Sequence, residues 1–211
     1  MGADTGRNVA CLFGALASVA SVAAAGSAQD YNVVWTSPSK DAGGSMPLGN
    51  GDIGLNAWAE ENGDLVFYLS KTDSWDDNGR LLKVGKVRVR CEPPLVAPGC
   101  QFRQELDLPT ATMRVVSKPP TGELSLALWV DAGDPAVHLT VDSAKDVTVT
   151  ASIELWRTER YELPSLETSD VMLDRSKPGG QHEPTIVEPD TILTGLDERV
   201  GWYHHNVKSV G

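Results

Sequence analysis

The sequence predicts an all-β chain folded as an antiparallel β-sandwich, and three observations lead there. Apolar residues recur at period two, not at helical spacing, in KVRVR (86–90), ELSLALWV (123–130), AVHLTV (136–141) and DVTVTASIELW (146–156). That alternation marks strands with one buried face. The breaks between such runs carry turn chemistry, as in ENGD (61–64), LPTA (108–111) and DSAKD (142–146), so neighbouring strands join as hairpins. From Tyr31 onward no window holds the apolar stripe of an amphipathic helix, while 13 Pro and 20 Gly punctuate the chain. A sandwich of antiparallel sheets is the architecture that buries such strands.

The elements follow in order. A short polar segment with Arg7 precedes the apolar run from Val9 to Ala25, and Gly26-Ser27-Ala28 supplies small residues for a peptidase. Residues 1–28 therefore read as a secretory signal peptide, with an uncleaved membrane anchor as the rival reading. Cys11 lies within that run and leaves with it. Residues 29–211 form the sandwich domain, which reaches the oxidising space outside the cytoplasm, secreted or periplasmic. IGLNAWAE (53–60) and LVFYLS (65–70) flank the ENGD turn, and QFRQELD (101–107) and TMRVVS (112–117) flank LPTA. A polar excursion at 157–190, centred on SKPGGQHEP, is too long for a hairpin connection. His182 and Glu183 in it read as a solvated loop. The last residues return to apolar and aromatic character with no closing strand evident, so the sandwich is expected to be incomplete at this end.

Charge narrows the partners. Twenty-nine acidic against 18 basic residues give a net charge of −11, which argues against nucleic acid and, once the signal is cleaved, against an anionic membrane, since both need a basic face. Neutral ligands remain open. Cys91 and Cys100 end the Pro-rich stretch CEPPLVAPGC, and in an exported chain a disulfide closing that loop is expected. A metal pair is the alternative, but ligand thiols come with further Cys or His at short spacing, and none is near. No metal or other cofactor is expected.

Gly49, Gly51 and Gly54 in PLGNGDIG (47–54) have the G-x-G-x-x-G spacing of a dinucleotide-binding turn. Both flanks fail that reading. The fingerprint needs a buried strand before the glycines and a helix after them, whereas SKDAGGSMP precedes and a strand–turn–strand pattern follows. The expectation is a tight structural loop in which Gly49 and Gly51 supply positive φ or close backbone approach and Asn50 tolerates the left-handed region.

A family resemblance enters on these residues. MPLGNGDIGLNAWAEENGDLVFYLSKTDSW (46–75) is similar to the opening of glycoside hydrolases of family 95, whose N-terminal β-sandwich begins with a G-N-G-x-x-G-like loop. The chain more closely resembles the domain-of-unknown-function family 5703, through VVWTSPS (33–39), LGNGDIG (48–54), KTDSW (71–75) and GKVRV (85–89) taken in order. The match is clear over residues 31–110, and GWYHHN (201–206) is similar to that family's tail. The resemblance implies a supersandwich-like N-terminal domain that packs against a downstream catalytic (α/α)6 barrel, absent here, and lends loops to the rim of a sugar site. It implies no catalytic residue in this chain.

Candidate ligand residues follow from chemistry. Asp73, Asp76 and Asp77 beside Trp75 are types that bind sugar hydroxyls and stack on a pyranose face; an exposed turn uses the same residues. Among six Trp, Trp129 and Trp156 near strand ends read as core and Trp58 as core or domain interface, while Trp75 and Trp202 among polar residues read as surface. His204 and Asn206 beside Trp202 could donate hydrogen bonds to a glycan, whereas adjacent His204 and His205 on a strand point to opposite faces and cannot share a metal. His138 alternates with strand residues and reads as a surface or satisfied core histidine. Three functions stay open: a carbohydrate-associated domain supporting a catalytic barrel, a free-standing carbohydrate-binding or adhesive module, and a small hydrolase using Asp73–Asp77.

Overall fold

The computed structural model describes residues 26–75, 81–119, 122–163, 186–205 and 207. Most of the predicted signal peptide, Asp76, Asp77, Asn206 and the heart of the polar excursion lie outside the described residues. Fourteen strands follow in chain order: β1 (Val33–Trp35), β2 (Met46–Gly49), β3 (Ile53–Ala59), β4 (Leu65–Trp75), β5 (Leu81–Glu92), β6 (Gln101–Asp107), β7 (Thr112–Lys118), β8 (Leu124–Val130), β9 (Val137–Ser143), β10 (Thr148–Glu154), β11 (Tyr161–Glu162), β12 (Ile186–Val187), β13 (Thr191–Leu193) and β14 (Gly201–Tyr203). Two single 3₁₀ turns, at Ala28–Tyr31 and Ala42–Gly44, are the helical segments among them. No helix among the described residues is long and apolar enough to cross a membrane.

One five-stranded sheet has the order β1-β6-β7-β8-β9 and the other β10-β5-β4-β3-β2, with antiparallel pairing throughout. The alternation read from the sequence is the burial pattern of β6 and β8, whereas the edge strand β10 is exposed on both faces from Thr148 to Ser152. Leu124, Leu126 and Leu128 of β8 point inward and Ser125 and Ala127 outward. Leu106, Met113 and Val115 from the first sheet meet Leu55, Ala57, Leu65, Phe67 and Val89 from the second in one core. Gln104 on β6 is buried between the sheets, and its Oε1 accepts the Ala59 N–H of β3 at 3.0 Å, a polar tie across a mainly apolar layer.

Three expectations need correction. Cys91 and Cys100 are free thiols, not a disulfide. Cys91 points into the core from β5, where burial pushes its thiol pKa up, while the Cys100 sulfur accepts the Ala97 N–H at 3.3 Å. The loop between them is anchored instead by Leu95, which is fully buried in the core. The polar excursion is not wholly irregular, since its two ends meet as β11 and β12. The C-terminal residues also form strands, with β13 and β14 pairing as a hairpin.

Candidate functional site

Two regions gather the polar and aromatic side chains with functional chemistry. The first is the end of the sandwich where PLGNGDIG meets KTDSW. Gly49 and Gly54 pair at the mouth of the β2–β3 hairpin. At Gly51 φ is +92°, a conformation an L side chain adopts only with strain, so glycine is needed at the turn itself. Asn50 is not in the left-handed region and acts through its side chain. Its Oδ1 accepts the N–H groups of Asp52 and Ile53, both at 2.9 Å, and its Nδ2 donates to the carbonyls of Asp131 (2.8 Å) and Asp134 (3.1 Å) in the β8–β9 loop. One amide thereby closes its own turn and ties the two sheets together.

The same end holds an ion cluster. Lys71 Nζ lies 2.9 Å from Asp52 and 2.8 Å from Asp73, and the Thr72 N–H donates to the Asp52 carbonyl at 2.9 Å. The hydrogen bond from Lys71 holds the Asp73 carboxyl below its usual range, and Asp73 in turn raises the Lys71 pKa. Asp131 is also held low, by the backbone N–H groups of Gly133 and Asp134. Its other oxygen lies 3.2 Å from His138 Nε2, and the His138 ring stacks on Trp129 at 5.2 Å. Trp129 thus lies on an outer face, not in the core. Trp75 is 56 % exposed, as its polar neighbours predict, and its indole N–H donates to the Thr72 carbonyl.

The second region is the outer face of the β10-β5-β4 side. Directly opposed residues form rows: Tyr68 of β4 faces Lys86 of β5, which faces Glu154 of β10, and in the next row Val66 faces Arg88 and Arg88 faces Ser152. Trp58 is 2 % exposed because Tyr68 covers it, ring centroids 5.3 Å apart. Trp156, expected in the core, is instead 41 % exposed beyond the end of the edge strand β10, and meets Tyr68 edge-on at 6.2 Å and 89°. Tyr68, Lys83, Lys86, Glu154, Leu155 and Trp156 line a groove of about 380 Å³.

Beside the groove, in the next row of the same face, lies an ion network centred on Arg88. Its guanidinium binds Glu154, Glu60 (2.6 Å) and Asp64 (2.9 Å), and Arg90 reaches Asp64 at 3.3 Å. Burial alone would raise the Asp64 carboxyl, but bonds from Arg90 and Arg88 outweigh it and hold it low. Arg88, then Lys86, pull the Glu154 pKa down to about 2, so this carboxylate accepts hydrogen bonds at neutral pH and has no proton to give.

A β-bulge sets the groove's rim. Leu69 pairs with Gly85 but Ser70 pairs with Lys83, which leaves Val84 as the extra residue. Bulges re-aim side chains and strand the backbone groups of the extra residue. Here Lys83 swings out until its Nζ sits 4.4 Å from the centre of the Tyr68 ring. The exposed carbonyls find side-chain donors: Arg157 Nη1 on Lys83 O (3.1 Å) and Trp202 Nε1 on Val84 O (3.0 Å). Trp202 packs so closely on Gly85 that a Cβ there would meet its ring at 2.5 Å. Trp202 is therefore a support of the bulge and not an open sugar platform. Asp190, 1 % exposed, accepts from Arg157 Nε at 2.8 Å and pairs with His204 Nδ1 at 3.0 Å. His204 is thus part of a latch that fixes the β13–β14 hairpin and Arg157, whose guanidinium lies over Trp156 at 5.1 Å.

Of the predicted site residues, the structure gathers Gly49, Asn50, Gly51, Gly54, Asp73 and Trp75 at the first region, and Trp202 and His204 behind the second. Tyr68, Lys83, Lys86, Glu154 and Trp156 were missed. Tyr68, Lys86 and Glu154 were signalled by the mixture of aromatic and charged residues at outward positions of β4, β5 and β10, whereas Lys83 and Trp156 carried no such signal.

Two facing five-stranded antiparallel sheets with a motif-bearing hairpin at one end define the chain as a β-sandwich domain. The model of the N-terminal domain of unknown function DUF5703 matches residues 34–210, and the chain belongs to that family. The match runs well past residue 110, through the groove and the C-terminal hairpin. No curated protein matches the chain.

Proposed function

We propose that this chain is a carbohydrate-associated β-sandwich of an exported glycoside-hydrolase-like protein, one that contacts sugar and supports a catalytic (α/α)6 barrel rather than cleaving bonds itself. The groove carries this reading. An exposed indole at right angles to a phenol offers apolar faces to a pyranose ring, while Lys86, Glu154 and Lys83 offer donors and acceptors to its hydroxyls. The likeness of the opening 46–75 to glycoside hydrolases of family 95 supports the link to sugar chemistry and the supporting role. The described carboxylates at both regions argue for contact without catalysis, because Asp52 and Asp73 are paired with Lys71 and Glu60, Asp64 and Glu154 with Arg88. Glycoside hydrolysis needs one carboxyl free to donate a proton.

Isothermal titration of the chain against a panel of plant and microbial oligosaccharides tests the proposal. At least one is expected to bind, Trp156→Ala to weaken that binding about tenfold or more, and Trp75→Ala to leave it within error. Flat titrations across the panel, or loss only with Trp75→Ala, would reject the groove as the sugar contact. The free-standing binding module is the second reading; it shares the groove and differs in needing no catalytic partner.

A further inference from the structure

We infer that the groove selects a saccharide carrying a carboxylate, a uronic-acid unit, with Lys83 as the group that reads the charge. This rests on the reading of the groove as a sugar contact. Lys86 is neutralised by Glu154 at 2.7 Å, and Arg157 behind Trp156 is neutralised by Asp190. Arg88 in the next row is shared among three carboxylates. Lys83 alone among the cations of this wall has no carboxylate partner among the described residues, and its one close interaction is with the face of Tyr68. In a chain of net charge −11, most lysine and arginine groups at this face are paired, so an unmatched ammonium held over an aromatic ring is a local exception.

Its position is also built. The bulge at Val84 turns Lys83 outward, and two side chains, Arg157 and Trp202, hold the backbone of that bulge. The ammonium therefore stands at the rim of the same groove that exposes Trp156, so one ring can lie against the indole while its carboxylate reaches Lys83. Glu154 faces that carboxylate's side of the groove, but its charge is already taken by Arg88 and Lys86. The negative field of the whole chain weakens over about 8 Å at physiological salt, so at contact distance the unmatched ammonium decides.

The test titrates the chain with a trigalacturonate and with the neutral galactotriose of the same size, at low and high salt. The acidic trimer is expected to bind at least fivefold more tightly at low salt, with the preference shrinking as salt rises. Lys83→Met is expected to abolish the preference by lowering affinity for the acid about tenfold, with any loss for galactotriose much smaller, and Lys83→Arg to keep it. Equal affinity for the two trimers in the wild-type chain, or a preference that persists in Lys83→Met, would overturn the inference and leave the groove as a neutral-sugar contact. No binding of either trimer, with other oligosaccharides bound normally, would overturn the acidic specificity; no binding of any saccharide would overturn the groove reading as well. Unchanged thermal unfolding of Lys83→Met confirms that the exposed substitution acts on binding.

Discussion

The end that carries PLGNGDIG and KTDSW and the groove on the β10-β5-β4 face are built from similar residues, yet they use them differently. At the motif end each polar group meets another part of the chain: Asn50 makes four hydrogen bonds to two loops, and Lys71 is shared by Asp52 and Asp73. At the groove an ammonium has no carboxylate partner among the described residues and stands beside an exposed indole, whereas the exposed Trp75 of the motif end has its N–H bonded to the Thr72 carbonyl. Internal satisfaction marks groups that specify the fold, because their bonding capacity is spent before a ligand arrives. Unspent capacity beside an exposed ring is available to a ligand. The PLGNGDIG hairpin is thus chiefly a structural device, and the proposed ligand contact lies where no motif pointed.

Substitutions can break this contrast, beginning with the largest effect. Arg88→Met removes the centre of the network beside the groove and leaves Glu60 without this partner, Glu154 with Lys86 and Asp64 with Arg90. Disrupting a partly buried network of this kind costs up to about 3 kcal/mol, and urea unfolding is expected to record that loss together with a loss of saccharide binding. Asn50→Ala should separate the two regions. Four bonds disappear and the Asp52 and Ile53 N–H groups lose their acceptor, so stability falls by about 1–3 kcal/mol. Saccharide affinity, measured well below the melting temperature, is expected to stay at the wild-type value.

A smaller effect lies in acid. Glu154 titrates at about 2 in the folded chain and higher when unfolded. A depressed carboxylate contributes stability that is complete above its unfolded pKa and drains away as pH falls toward the folded value. Between about pH 5 and pH 2 the wild type should therefore lose stability that Glu154→Gln never has, so their unfolding midpoints converge as the medium becomes more acidic. The pair is partly exposed, which keeps the difference within about 1 kcal/mol at neutral pH. Smallest of all is Asp73→Asn. Its carboxylate is solvent-exposed and Lys71 retains Asp52, so a shift in unfolding midpoint beyond experimental error would mean that the motif end depends on this pair more than its exposure allows.

How far the sequence could foretell this depends on the range of each interaction. Period-two alternation made the strands β5, β8, β9 and β10 legible, because a residue's face is set by its immediate neighbours. The role of Asn50 was not, since its partners at Asp131 and Asp134 lie 81 and 84 residues away. Trp156 follows an apolar run and reads as core, but β10 is an edge strand and the chain turns outward after it. Lys83 was hidden because a one-residue bulge reverses which face its side chain takes, and nothing in LLKVGKVRV marks where the extra residue falls. Trp202 was sought at the surface on account of its polar neighbours, whereas Gly85, more than a hundred residues earlier, leaves the space that it fills. CEPPLVAPGC led to a disulfide, but the inward position of Cys91 is fixed by the register of β5.

The central claim is that ligand meets the groove and not the motif end. The most direct test is an amide and indole proton–nitrogen correlation spectrum recorded as an oligosaccharide is added. The account predicts shifts in the Trp156 indole and in the amides of Tyr68, Lys83, Lys86 and Glu154, with Asn50, Asp52 and Asp73 unmoved. Shifts concentrated on Asn50, Asp52, Asp73 and the Trp75 indole, with the groove silent, would contradict it.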